Sequence, residues 1–196
     1  MFQGKAVQTV TPASNSVTND MLAGSIATSK LADGSTFATT NGITEADNWR
    51  VTSDFTPSGQ QVITSNWERV DTDASGYIGT GMTESSGIFS FPSTGYYLVE
   101  FNAEASHTAY SQYVTAGIEV TTDNSSYDFA SEANFHIYST GTRSYQTGSC
   151  MKIVDVTDTS LIKVRFVVQA AASGCNIRGN SGSTQTSAHF IRLGDT

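Results

Sequence analysis

The sequence predicts an all-β protein: an antiparallel jelly-roll sandwich carried on an extended N-terminal stalk. Three observations point there. Apolar and polar residues alternate with period two along several long stretches. Turn residues recur at short intervals from residue 44 onward. No helical period of useful length runs through the same region.

The chain divides near residue 40, giving an anchoring segment over 1–15, a repeat stalk over 16–41 and a head over 42–196. In the stalk, Ser16-Val17-Thr18-Asn19-Asp20-Met21-Leu22-Ala23-Gly24 aligns with Ser25-Ile26-Ala27-Thr28-Ser29-Lys30-Leu31-Ala32-Asp33. Thr18 or Asn19 could cap one helical turn and Gly24 could end it. One turn is not stable in water, so the Leu and Ile of each unit need identical copies around an axis to be buried. A disordered Ser/Thr linker is the alternative.

In the head, candidate strands are Trp49–Phe55, Trp67–Val70, Ile88–Phe91, Tyr96–Ala105, Val114–Thr122, Phe135–Tyr138, Ser149–Val156, Leu161–Gln169 and His189–Leu193. From Tyr97 the apolar side chains fall at Tyr97, Val99, Phe101, Ala103 and Ala105, with Glu100, Asn102 and Glu104 pointing the other way. Val114, Ala116, Ile118 and Val120 alternate likewise, as do Ile162, Val164, Phe166 and Val168. Pro92 closes the strand before Tyr96, and Gly95 gives the intervening turn its backbone freedom. Thr157-Asp158-Thr159-Ser160 reads as a hairpin turn between two long strands. Nine or ten strands of this length suit a jelly roll, which closes most of its own edges.

The run from Gly87 to Phe101 follows G-x-F-x-x-P-x-x-G-x-Y-x-[FV]-x-[FY]. It resembles the globular head of complement component one-q and its tumour-necrosis-factor relatives. That resemblance implies a ten-stranded jelly roll assembling as a homotrimer. It extends loosely to the pair Ser149–Val156 and Leu161–Gln169 and to Ala188–Leu193, which resembles the family's final core strand. Val99 stands where family members often carry an aromatic. Separately, the stalk units resemble the S-[IV]-T-x-x-K-L-A repeats of bacteriophage fibre stalks. Stalk and head together imply a virion appendage, with residues 1–15 docking on a capsid or tail protein.

Composition narrows the functions. A net charge of −8 argues against a nucleic-acid partner, which needs a basic face. Charged residues are only 14 %, so hydroxyls and amides fill the solvated surface. No apolar run reaches the length of a membrane span, and Met1–Val7 lacks the apolar core of a signal peptide. The expectation is assembly in a host cytoplasm, release by lysis, and a final place on the virion surface. Cys150 and Cys175 are the only cysteines. They read as two buried thiols made in a reducing cytosol. A bridge between them, worth roughly 3 kcal/mol, is the alternative.

Four motifs bear on chemistry. Asp71-Thr72-Asp73-Ala74-Ser75-Gly76-Tyr77-Ile78 opens like an EF-hand calcium loop, with oxygens at Asp71, Asp73 and Ser75. Its twelfth position is Met82 rather than a bidentate Glu, leaving Glu84 or a neighbouring chain to complete a site; a plain polar turn is the competing reading. Some relatives in the superfamily bind calcium at the trimer apex. No other cofactor is implied. Gly179-Asn180-Ser181-Gly182-Ser183 resembles the nucleophile loop of trypsin-like peptidases. It has no matching His motif and few residues after Ser183, so it reads as a surface loop. His107, His136 and His189 show no metal spacing, with His189 at a core or axis position, and no carboxylate pair stands out; an enzyme is not expected. Of Tyr96, Tyr97, Tyr110, Tyr113, Tyr127, Tyr138 and Tyr145, three sit among Ser, Asn and Asp in recognition-like loops: Tyr110, Tyr113 and Tyr127. With Asn124 they form the expected contact set for a cell-surface glycan or receptor; packing within an interface is the competing role. The functional expectation is therefore a trimeric short fibre or capsid decoration protein that adheres through its head. A non-viral complement-type adhesion module is the alternative.

Overall fold

In the computed structural model the described residues are 42–196. The anchoring segment and the repeat stalk expected over 1–41 lie outside them.

Thirteen strands and no helix make up the described residues. They are β1 (Ala46–Val51), β2 (Ser53–Phe55), β3 (Gln61–Val62), β4 (Trp67–Arg69), β5 (Thr83–Ser85), β6 (Ile88–Ser90) and β7 (Gly95–His107). There follow β8 (Ser111–Thr121), β9 (Asp128–Ile137), β10 (Ser144–Val156), β11 (Lys163–Ala170), β12 (Asn176–Asn180) and β13 (Ser187–Gly194). All pairings are antiparallel.

The first sheet is built around β7. Strand β10 pairs along its whole length from Gly95 to His107. On its other side β13 pairs with Tyr96–Asn102 and β12 continues along Ala105–Ser106. β1 and β2 lie beyond these two, and β4 forms the edge next to β1. The second sheet runs β5-β6-β11-β8-β9, with β3 also paired to β11. The fold is an antiparallel jelly-roll sandwich.

Strand alternation then decides what lies inside. Tyr97, Val99, Phe101, Ala103 and Ala105 face the second sheet and are buried, as are Val114, Ala116 and Ile118 of β8 and Val164, Phe166 and Val168 of β11. Aromatic rings dominate this core. Phe101 stacks on Phe166 at 4.8 Å, and Phe89 meets Trp49, Trp67, Phe166 and Phe190 at 5.2–5.4 Å between centroids. Where the open sides of the sheets meet, Phe135 of β9 lies over Gly148 of β10. A β-carbon at Gly148 would fall 2.2 Å from the ring, so only glycine admits it. Gly95 has φ +139°, and a β-carbon there would fall 2.5 Å from Gly194 O, so glycine suits the sharp approach to β7.

Two buried ion clusters pin the edge of the first sheet. Asp47, about 5 % exposed, accepts bonds from Arg69, from Trp49 Nε1 at 2.9 Å and from the Met82 backbone N–H at 2.7 Å. Arg69 is held between the rings of Trp49 and Tyr77. Arg50, 1 % exposed, donates to Glu68, Asp71 and Thr72.

Several local expectations change. The strand read over Trp49–Phe55 breaks at Thr52, whose N–H turns to Asn66 O. Thr157–Ser160 does not form a hairpin: β10 pairs with β7 and β11 with β8, β6 and β3, so this turn carries the chain from one sheet to the other. β9 begins at Asp128 rather than Phe135 because it is an edge strand with much of its length exposed, which weakens the alternation. β12 occupies part of a segment read as loop; its partners are β7 and β2, both remote in sequence.

Candidate functional site

The fold collects exposed tyrosines at one end. The β7–β8 and β9–β10 connections lie side by side there, joined by Gly141 N–H donating to Thr108 O at 3.1 Å and by Ser139 Oγ donating to the same carbonyl. Tyr110 (55 % exposed) and Tyr138 (71 %) stand on these connections, and Tyr145 (54 %) at the start of β10. Tyr113, the third residue of β8, is 37 % exposed, and its hydroxyl accepts a bond from Gln169 Nε2 at 3.3 Å. Arg143 ties the β9–β10 connection to β7 by donating to Ser106 Oγ at 2.9 Å.

Between β9 and β10 a depression of about 290 Å³ is lined by His136, Ile137, Tyr138, Ser144, Tyr145 and Gln146. The Arg178 guanidinium lies 5.4 Å from the Tyr145 ring centroid and is itself tied to Asp54 at 2.5 Å. That pairing fixes one side of the ring while the rest stays open to solvent.

The expected contact set is not one surface. Tyr110 and Tyr113 are at this end, whereas Asn124 and Tyr127 lie past the other end of β8. The eight strand residues from Val114 to Thr121, about 26 Å, separate Tyr113 from that end. Tyr127 is half-buried, with the Arg165 guanidinium 4.1 Å from its ring centroid. Burial raises its hydroxyl pKa against the opposing pull of Arg165. Its place is under a salt bridge, since Arg165 also holds Glu119 at 2.5 Å. Asn124 has φ +57°, so its contribution is to the turn. The neighbouring Asp123 accepts from Ser126 and Ser125 backbone N–H groups and from Thr121. Those donors hold its carboxyl at about pH 2, with Ser126 contributing most. Tyr138, Tyr145, His136 and Gln146 were not singled out from the sequence as contacts. The available signal was Ser139-Thr140-Gly141-Thr142, a turn composition bracketed closely by two tyrosines.

The four expected calcium ligands are engaged elsewhere or not drawn together. Asp71 accepts a bond from Arg50 at 2.9 Å, which engages its Oδ1. Glu84 accepts from the Gly87 N–H at 2.6 Å and serves the β5–β6 turn. Asp73 and Ala74 both adopt positive φ, +56° and +60°, with Ser75 N–H donating to Thr72 O. Among the described residues no group of three or more His, Cys, Asp or Glu side chains converges as a metal site.

A second feature lies on the outer face of the first sheet, opposite the core. Ile153 of β10, Leu98 of β7 and Ile191 of β13 are in register across three strands. Tyr96, Met151 and Leu193 flank this row. Ile153 is 56 % exposed and Met151 58 %, while Leu98 and Ile191 are half-buried. The sequence signal was Met151 and Ile153 interleaved with Cys150 and Val154, which makes β10 apolar on both faces.

His189 sits beside this row, opposite Glu100 in register, with Nε2 3.0 Å from Ser187 Oγ. The grouping is not a nucleophile triad. Ser187 is 3 % exposed, and Glu100 accepts its bond from Ser149 Oγ rather than from the imidazole. Desolvation lowers the His189 pKa, partly offset by Glu100. At the loop that resembles a peptidase motif, Asn180 Oδ1 accepts from the Gly182 and Ser183 backbone N–H groups, a local turn between β12 and β13. Cys150 and Cys175 are free and buried; Cys150 Sγ donates to Ala116 O at 3.5 Å, and burial pushes its thiol up to about 11.

No protein-family model matches this sequence, and no curated protein sequence matches it significantly. Solved structures do match by shape. A crystal structure of murine APRIL aligns over 76 % of this chain and 98 % of its own, with a TM-score of 0.55 and 10 % identity. The structure of Eiger TNF from S. frugiperda aligns over 77 % and 93 %, with a TM-score of 0.50 and 16 % identity. At such identities the likeness is one of fold, and it gives the head a tumour-necrosis-factor-like jelly roll.

Proposed function

We propose that this chain is a trimeric adhesion protein of a virion surface, a short fibre or capsid decoration protein of a bacteriophage. The observation that carries the trimer is the in-register row Ile153–Leu98–Ile191 with its flanking Tyr96, Met151 and Leu193. Such a contiguous apolar strip running in register across three strands suits burial against identical copies. The tyrosine-bearing end carries adhesion to a host-surface glycan or receptor. Three heads on one axis then raise weak single-site binding through effective concentration. The bacteriophage setting is supported by the stalk repeats, whose copies need one another to bury Leu22, Ile26 and Leu31. Residues 1–15 dock on a capsid or tail protein. No catalytic step and no cofactor is assigned.

A non-viral adhesion module is the second reading, favoured by shape matches to proteins of a mouse and an insect. Native mass by light scattering is the first test. A full-length protein of three chain masses supports the proposal, and a monomer at all concentrations overturns it. A protein beginning at Gly42 then separates the roles: a trimeric head leaves residues 1–41 chiefly as the anchor. Binding of labelled protein to purified virions or capsids decides between the viral and non-viral settings.

A further inference from the structure

We infer that the depression between β9 and β10 is a saccharide-binding site for a neutral pyranose, with Tyr138 and Tyr145 as its stacking platforms. The inference rests on the adhesive reading of this end and gives it a ligand class and named residues.

The chemistry of the lining selects the ligand. Two tyrosine rings, 71 % and 54 % exposed, stand on a depression of about 290 Å³, near the lower end of the size of small-molecule sites. Aromatic rings left this open are the complement of an apolar face that is itself soluble. The C–H face of a pyranose has that character, with hydroxyls around its rim. Gln146 offers an amide with both donors and an acceptor, Ser144 a hydroxyl and His136 an imidazole, the set that reads hydroxyl groups. No carboxylate and no guanidinium lines the depression; beside it Arg143 donates to Ser106 Oγ, and Arg178 is tied to Asp54 and lies against the Tyr145 ring. A lining of rings, an amide, a hydroxyl and an imidazole suits an uncharged sugar better than a uronic or sialic acid.

The site is also held in place. Ile137 is buried at the end of β9, Tyr145 pairs in register with Ser106, and the connection between them is bonded to Thr108 O and Ser106 Oγ. Rigid backbones on either side spare the ordering cost that weakens loop sites. Six residues separate Tyr145 from Met151 along β10, about 20 Å, so the depression and the apolar row are different parts of the strand.

The test is calorimetry and saturation-transfer NMR on the full-length protein with glucose, galactose, mannose, N-acetylglucosamine, their β-linked disaccharides, and glucuronic acid as the charged control. The expected result is weak, saturable binding of one or more neutral sugars and none of glucuronic acid. Tyr138→Ala and Tyr145→Ala each weaken it by about five- to tenfold. Tyr138→Phe and Tyr145→Phe retain it within twofold, and Gln146→Ala lowers it while leaving thermal melting unchanged. Binding that survives both alanine substitutions overturns the site but not glycan adhesion. An absence of sugar binding overturns the site as well. In that case, adhesion of the protein to bacteria that is lost after protease treatment of the cells keeps the adhesive reading with a protein receptor. Absence of any adhesion removes both. A change of native mass in Tyr138→Ala or Tyr145→Ala overturns the sugar site by showing that this depression is a contact between copies.

Discussion

Replacing Ile153 by aspartate is expected to dissociate the assembly while leaving the fold of each chain intact. Ile153 is 56 % exposed in the single chain, so little of its side chain supports the monomer. Full burial of an isoleucine is worth about 1.5–3 kcal/mol, which leaves about 1–1.5 kcal/mol to be gained when a neighbour covers it. Over three chains that amounts to about 3–5 kcal/mol, a factor of about a hundred to several thousand in the association constant. Burying a carboxylate in the same place opposes assembly further. In the isolated chain the same change at an exposed position shifts stability by only about 0.5 kcal/mol or less. Sedimentation velocity across a concentration series would show three-chain mass for the wild type and one-chain mass for Ile153→Asp, with matching thermal melts of the monomer. Thr147→Asp, on the same strand but away from the apolar row, should leave the mass unchanged. A stable trimer of Ile153→Asp at every concentration would refute the assignment of this face.

Asp47→Ala should lower stability by about 3–5 kcal/mol in urea unfolding. It strands Arg69, Trp49 Nε1 and the Met82 N–H without their common acceptor, and a loss below 1 kcal/mol would contradict that account. The lowered pKa of His189 means that near pH 6 the unfolded chain binds more protons than the native one. Stability from this residue is therefore present above its ordinary pKa near 6.5 and declines as pH falls through that region; His189→Gln should flatten this part of the profile. Cys150 and Cys175, both buried with raised pKa values, should resist alkylation at pH 8 in the native protein and react on unfolding. Rapid native labelling of either would show that the core opens.

The contact set and the strand pairings differ in how far they could be read from the chain. Tyr110 and Asn124 share a composition signal, yet the first stands exposed on a connection and the second takes φ +57° in a tight turn. Composition is a property of short segments, whereas exposure depends on what packs alongside. Asp71 and Glu84 show the same limit. Asp71 opens a calcium-like spacing and Glu84 stands two residues late in it, but Arg50, some twenty residues before Asp71, binds the first and the Gly87 N–H the second.

What the sequence determined by itself was the all-β class, the inward face of β7, β8 and β11, and with it the core rings Tyr97, Phe101 and Phe166. Each follows from local alternation, which the pleated backbone converts directly into two faces. The turn after Phe91 belongs with these, since proline and glycine act on their own dihedral angles. Only the tertiary structure decided that β10 pairs with β7 rather than with β11, that β12 is a strand, and that Ile153, Leu98 and Ile191 fall in one row. It also brought Tyr110, Tyr138 and Tyr145 to one end. Register between strands fifty to a hundred residues apart is fixed by the joint burial of both inner faces, a constraint that no single segment carries.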